Sequence, residues 1–226
     1  MTAAPTASGR TDGPLTKERV LRGGLALADR IGIEPFTIRR LAAELGVKPM
    51  TIYHHVAGKE AIIDGMVDLV FAEIDLPPTD LDWRSAMQHR CRSARAVLRH
   101  HPWAPPLMES RTTPSPHTLR HHEAVLACFR EAGFSLALTA HAYAIVDSYV
   151  YGFALQEAHL PFHGGEAIGD LAEAIVAPLP ADEYPRLIEL TRDHVLQPGY
   201  DFGDSFELGL DLLLDGLAAA ASAAPA

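Results

Sequence analysis

The sequence predicts an all-α protein: an N-terminal three-helix helix-turn-helix domain followed by a larger helical C-terminal domain. Three observations carry this. Apolar residues recur at helical spacing along most of the 226 residues. No segment alternates with the two-residue period of a strand. Basic residues gather near the N-terminus of a chain whose formal charge is −10. Residues 10–60 hold nine Lys/Arg against six Asp/Glu, including all three lysines, Lys17, Lys48 and Lys59. The rest of the chain holds ten against twenty-three. A locally basic module on an acidic body suits a phosphate-binding segment joined to a part with another task.

Taken in order, residues 1–14 are polar and punctuated by Gly and Pro, which predicts a disordered leader and offers no apolar stretch for a secretory signal. Thr16 is placed to cap a helix over 16–31, with Val20, Leu21, Leu25, Ala28 and Ile31 on a common side. Thr37 caps a second, at about 38–45, and Gly46 stops it. Pro49 suits the first turn of a third, roughly 49–56. Apolar residues at 62, 63, 66, 67, 70, 71 and 74 then define a longer helix from Lys59 to Ile74.

Beyond the break at LPPTDLD, helices are expected near 83–100, 115–132, 135–159, 184–196 and 204–221, with one short helix among the prolines of 101–116. The Gly/Pro-rich stretch from Pro161 to Pro180 reads as a mobile loop around AIGDLAEAIVA. Residues 222–226 read as a fraying tail. The domains are thus 1–14 leader, 15–60 helix-turn-helix, 61–221 helical body and 222–226 tail. No run of eighteen uncharged apolar residues exists to span a membrane, and the two cysteines, Cys91 and Cys128, sit in apolar helical patterns. A reduced core pair in a cytoplasmic protein and a disulfide or redox switch are the two readings.

The chemistry concentrates in FTIRRLAAELGVKPMTIYHHVAGKE, residues 36–60. Two short helices joined through a glycine turn form a helix-turn-helix whose second helix can enter a major groove. Leu41, Ala42, Leu45, Val47, Ile52 and Val56 supply the packing. That leaves Lys48, Pro49, Met50, Thr51, Tyr53, His54 and His55 to face outward, a mixture of cations, hydroxyls and apolar tips that serves phosphates and base edges. Thr37 and Lys59 stand at helix starts, where N–H groups also favour phosphate.

Residues 16–66, and above all IGIEPFTIRRLAAELGVKPMTIYHHVAGKEAIIDGM, strongly resemble the TetR family of bacterial transcriptional repressors. REAGFSLALTAHAYAIVDSYVYGFALQE at 130–157 and SFELGLDLLLDGL at 205–217 look more weakly like the last long helices of the tetracycline-repressor branch. The resemblance implies a repressor of double-stranded operator DNA, released by a small-molecule effector, with a C-terminal ligand-binding and dimerisation domain. It implies base reading by Arg39, the tip of the recognition helix at Pro49, Met50 and Thr51, and phosphate contacts from Thr37, Tyr53, His55 and Lys59. His54 departs from the aromatic residue of the tetracycline repressor. The magnesium-binding His and Glu of that repressor fall near Met108 and His159, and neither ligand is kept, so a tetracycline–magnesium effector is not expected; no metal site and no cofactor are assigned.

In the body, Tyr143, Asp147 and Tyr151 are spaced by four along one stripe of the long helix. They read either as anchors of a pocket, to which Met108, Arg111 and His121 are added as candidates, or as a dimer seam or a tyrosine-satisfied core carboxylate. The last helix is apolar on more than one face, with Gly209 and Gly216 allowing close approach, which favours a homodimer. Twelve histidines raise the question of metal. The neighbours 54–55, 100–101 and 121–122 point about 100° apart on a helix, and His117 with His121 lacks a third ligand. No nucleophile elbow, phosphate loop or HExxH motif is present, so catalysis is not expected. A ligand-independent regulator or activator, and a helical enzyme that kept the motif, are the alternatives.

Overall fold

The computed structural model describes residues 14–108, 110–111, 113–160 and 172–223, and among these it contains helices and no strand. The expected leader, apart from Pro14, the core of the expected mobile loop at 161–171 and the final three residues lie outside the described residues. The chain divides into two compact units between Leu69 and Val70.

The first unit holds α1 (Lys17–Ile31), α2 (Ile38–Glu44), α3 (Pro49–Tyr53) and the first part of α4 (Lys59–Glu73). Its caps are set by the sequence. Thr16 accepts from the Arg19 N–H at 3.1 Å and Thr37 from the Arg40 N–H at 3.2 Å. Gly46, at φ 68°, turns the chain between α2 and α3 in the left-handed region that other residues avoid. Leu41, Ala42, Ile52 and Val56 are buried with Val20, Phe36, Ile62 and Met66, while Leu45 and Val47 are half-buried.

One detail of α1 differs from expectation. The buried stripe is Val20, Leu21, Gly24, Leu27 and Ala28, and Leu25 and Ile31 are half-buried. The stripe runs through a glycine because α4 crosses there: a Cβ on Gly24 would lie 2.9 Å from the Met66 sulfur. Gly65 on α4 answers it, its missing Cβ leaving room for the Leu21 methyls. Reading only large apolar residues rotates the face away from Leu27.

The second unit contains the end of α4, then α5 (Trp83–His100), α6 (Pro105–Met108), α7 (Pro116–Glu131), α8 (Leu136–His159), α9 (Pro185–Leu190) and α10 (Ser205–Ala223). Where one helix is expected over 184–196, α9 stops at Leu190 and a π-helical turn, Thr191–Val195, continues it. Helix α10 runs to Ala223, two residues into the expected tail, since alanine is the strongest helix former. Helix α8 is central and packs against α5, α6, α7 and α10. Its mixed apolar and polar faces follow from that: Val146, Val150, Phe153 and Ala154 are buried, while Leu136 and Ile145 are exposed.

Arginines of α5 fasten the helices together. Arg95 pairs with Glu157 of α8 at 2.7 Å and lies over the rings of Phe153 and Phe206. Arg84 reaches Asp211 and Asp215 on α10, and Arg92 grips Glu207. Gly209 lets α10 approach α8 under the Tyr149 ring, where a Cβ would be 2.2 Å from the hydroxyl. Gly216, the other glycine expected to allow close approach, faces open space within the chain.

Candidate functional site

The outward surface of the first unit is built on α2, α3 and the start of α4. Pro49 occupies the first turn of α3 and Ile52 anchors it, fully buried. With Ile52 and Val56 turned inward, the neighbouring positions must turn outward. Thr37, Arg39, Lys48, Pro49, Met50, Tyr53 and His54 are exposed, and Thr51, His55 and Lys59 are half-buried. Met50 and Tyr53, at 67% and 49% exposure, are large apolar or aromatic groups with little packing in the chain. Arg40 folds back onto the Pro35 carbonyl at 3.0 Å, while its neighbour Arg39 extends into solvent. All ten candidates therefore lie on accessible surface around the turn between α2 and α3 and its flanks.

The second unit holds a cleft of about 420 Å³ between α6 and α8. Pro105 and Pro106 form one wall. Tyr143, Ala144, Asp147, Ser148, Tyr151, Gly152 and Leu155 form the other. The spacing-by-four stripe thus lines a cleft. Met108 is buried on α6, His121 is buried, and Arg111 is half-buried between α6 and α7; none of the three belongs to the cleft wall.

Behind Asp147 lies the group that the stripe alone did not disclose. Arg90 is fully buried and its Nη2 stands 2.7 Å from Asp147 Oδ1. It also donates from Nε to His121 Nε2 at 3.0 Å and from Nη2 to the Tyr151 hydroxyl at 3.3 Å. A guanidinium has no acceptor, so His121 Nε2 must offer its lone pair and Nδ1 carries the proton. Burial, and then the Arg90 charge, push the His121 imidazole down to about 3 and keep it neutral. Burial works against the Arg90 charge, but Asp147 and Tyr151 outweigh it and the net direction is upward. Arg90 Nη1, His121 Nδ1 and Asp147 Oδ2 have no hydrogen-bond partner among the described residues.

A sequence signal for Arg90 exists. It falls in the buried stripe of α5, Ala86, Met87, Arg90, Cys91, Ala94 and Leu98, where a cation needs a buried partner. From this cluster and the cleft, two routes meet on one ring of α4. His121 packs on Phe71 at 5.3 Å between centroids. His122 packs on the same ring at 5.8 Å and shares a 2.7 Å hydrogen bond between its Nδ1 and the Tyr143 hydroxyl.

Both cysteines are free thiols, and burial pushes each up to about 11, so neither is a thiolate at neutral pH. Among the described residues, no three His, Cys, Asp or Glu side chains converge as a metal site, and no helix is long and apolar enough to cross a membrane.

A helix-turn-helix with an exposed cationic and aromatic face, joined to a helical body with a cleft, defines the class of DNA-binding regulators with a separate ligand domain. Comparison with known proteins narrows it. Residues 20–66 match the family described as bacterial regulatory proteins, tetR family, and residues 76–221 match the tetracyclin repressor-like C-terminal domain. The chain is 32% identical to the HTH-type transcriptional repressor DrrR1 of Streptomyces coeruleorubidus, over 90% of this chain and 77% of that protein. It is 30% identical to the class A tetracycline repressor of transposon 1721 from Escherichia coli, over 90% and 91%. Among solved structures, ActR of Streptomyces coelicolor in complex with actinorhodin aligns with a TM-score of 0.76 at 26% identity, over 92% of this chain and 99% of that one. BioQ of Mycobacterium smegmatis, solved with its double-stranded DNA operator, aligns with a TM-score of 0.63 at 27% identity, over 91% and 99%.

The chain belongs to the TetR family and is a DNA-binding transcription factor, not an enzyme.

Proposed function

We propose that this protein is a homodimeric, cytoplasmic repressor that binds operator DNA through α3 and is released when a small molecule enters the α6–α8 cleft. The observation that carries it is the division of labour around α3: Ile52 and Val56 are buried while Lys48, Pro49, Met50, Tyr53 and His54 stand in solvent. In a major groove, Arg39 and the α3 tip at Pro49, Met50 and Thr51 would meet base edges, and Thr37, Tyr53, His55 and Lys59 the phosphates. The BioQ complex with DNA and the ActR complex with actinorhodin support the two halves of this reading.

A dimer supplies paired recognition helices for two half-sites about one helical turn apart. Leu208 and Leu212 of α10, each 65% exposed and one turn apart, are the apolar surface it would cover. Helix α4 is the continuous element shared by both units, and Phe71 is where His121 of the Arg90 cluster and His122, bonded to Tyr143 of the cleft, reach it. A ligand that displaces Phe71 would act on operator binding through α4. Couplings of 1–3 kcal/mol, typical of allosteric proteins, change affinity roughly 5- to 150-fold.

The test is a salt series of binding to the DNA flanking the protein's own coding sequence. Tight, sequence-selective binding with a steep salt slope, weakened by Thr51→Ala without loss of the dimer, is the expected result. Binding that ignores sequence, or that Thr51→Ala leaves as tight at equal salt, would remove the assignment of α3.

A further inference from the structure

The polar groups around the α6–α8 cleft restrict what can occupy it. Among the described residues, no Lys, Arg or His lines the wall, so none of them would partner an anionic group there. Among the described residues of the wall, Asp147 is the single carboxylate, and its charge is already matched from behind by Arg90, which is fully buried and contributes nothing to the wall. A cation added to this pair would bring an uncompensated charge next to Arg90, and an anion an uncompensated charge next to Asp147. Either penalty falls on a pair that is itself almost fully buried, with side chains 0% and 7% exposed. What the described site lacks is a donor: among the described residues Asp147 Oδ2 has no hydrogen-bond partner, and a buried carboxylate oxygen takes a neutral O–H or N–H strongly. The rest of the wall is proline faces, tyrosine rings and Leu155, beside the Ser148 hydroxyl. The volume of about 420 Å³ suits a small organic ligand.

We infer that the effector is an uncharged, largely apolar ring compound that brings a hydroxyl or amide donor to Asp147, and that anionic and cationic ligands of the same size are rejected. This rests on the reading of the cleft as the effector site. The specificity comes from Arg90, a residue the ligand need not touch: its charge is what makes the Asp147 side of the cleft electrically neutral.

Four probes with one naphthalene body separate the possibilities: 2-naphthol (neutral, donor), 2-methoxynaphthalene (neutral, no donor), 2-naphthoate (anion) and 2-naphthylmethylammonium (cation). Each is titrated into the full-length protein at pH 7.5 by calorimetry or protein-observed NMR. The expected result is that 2-naphthol binds about tenfold more tightly than any of the others, the scale of one charge-assisted hydrogen bond. Gly152→Leu tests the location, because Gly152 lines the cleft and a Cβ there would meet no atom within 4 Å. It should weaken 2-naphthol binding.

Asp147→Asn leaves Arg90 unbalanced and should move the preference to 2-naphthoate, a reversal that a purely structural role would not produce. If that variant fails to fold, the paired swap Arg90→Met with Asp147→Leu removes both charges and should erase the difference between 2-naphthol and 2-methoxynaphthalene. Parity or preference for the anion or the cation in the unmodified protein overturns the inference and leaves the cleft a ligand site. Absence of binding by every probe, or binding indifferent to Gly152→Leu, instead removes the cleft reading on which it rests.

Discussion

The two units of this chain place their polar chemistry on opposite sides of their cores. In the first, the core is apolar and the cations, hydroxyls and Tyr53 are outside. In the second, an arginine, an aspartate and a histidine form part of the core itself. One ion pair from each makes the contrast quantitative. Arg30 and Glu44, joining α1 to α2, approach to 2.6 Å with side chains 55% and 39% exposed. Arg90 and Asp147 approach to 2.7 Å with 0% and 7%. The distances differ by only 0.1 Å, and the energetics differ far more. Water screens the first pair and would solvate either partner alone; nothing would solvate Arg90 if Asp147 were lost.

The largest expected effect follows directly. Asp147→Ala should destabilise the second unit by about 3–5 kcal/mol, the range for removing one partner of a buried pair. Replacing both members, Arg90→Met with Asp147→Leu, should cost far less, because no lone charge remains. Urea unfolding of the three proteins measures this. An Asp147→Ala variant with the wild-type midpoint would show that Arg90 finds water, and the contrast between the units would collapse.

His121 sharpens the same comparison through pH. Its folded value, about 3, lies below its ordinary value of about 6.5. The unfolded chain therefore binds the proton first as pH falls, and stability is full above about 6.5 and declines toward 3. Between pH 6.5 and pH 5 this one group should remove about 2 kcal/mol. His121→Gln retains an acceptor for Arg90 and cannot titrate in that window, so its unfolding free energy should fall less over the same interval. Parallel curves for the two proteins would mean that His121 is solvated after all.

The same inversion explains what the sequence disclosed. Helix positions, the Thr16 and Thr37 caps and the α3 surface follow from local rules, since each depends on residues within a turn or two. An exposed surface is also written locally: the residues that do not fit the buried stripe are the ones that face out. The cluster around Arg90 is written in three separate segments, α5, α7 and α8, and periodicity within a segment cannot pair them. The stripe of Tyr143, Asp147 and Tyr151 was visible, but its partner was 57 residues away in the chain. Two smaller differences have equally physical origins. Glycines hide inside buried faces, as at Gly24, because close helix approach needs the absence that apolar counting overlooks. A helix interrupted by a π turn at Thr191–Val195 keeps the apolar pattern of an unbroken one.

On the operator side effects should be smaller and of another kind. Tyr53→Ala removes a half-exposed ring from α3 and should leave the unfolding midpoint unchanged, while operator affinity falls about tenfold, within the range for a single protein–DNA contact. If its role is a phosphate contact, the loss should be uniform across operator variants. A change in stability without a change in affinity would instead make Tyr53 a packing residue and place the DNA surface elsewhere.

The smallest expected effect is Arg30→Gln. The bidentate geometry, with Nη1 and Nη2 at 3.2 and 2.6 Å from the two Glu44 oxygens, is close to that of Arg95 on Glu157, at 3.1 and 2.7 Å. Geometry counts for little here because both groups are well hydrated in the folded and unfolded states. The hydrogen bond from Arg30 holds the Glu44 carboxyl below the ordinary carboxylate range. A lowered carboxyl stabilises above its ordinary value of about 4.3 and loses that contribution as pH falls through the lowered one. Any difference between wild type and Arg30→Gln should therefore vanish in acid, below about 4.3 and so only in the lower part of the range where His121 acts, and should shrink with added salt. Midpoints that coincide at neutral pH and physiological salt, beside a large loss for Asp147→Ala, would confirm that burial and not pair distance separates the two units. A large loss for Arg30→Gln would mean that the α1–α2 contact carries the fold of the first unit, and that its surface charges cannot be assigned to DNA alone.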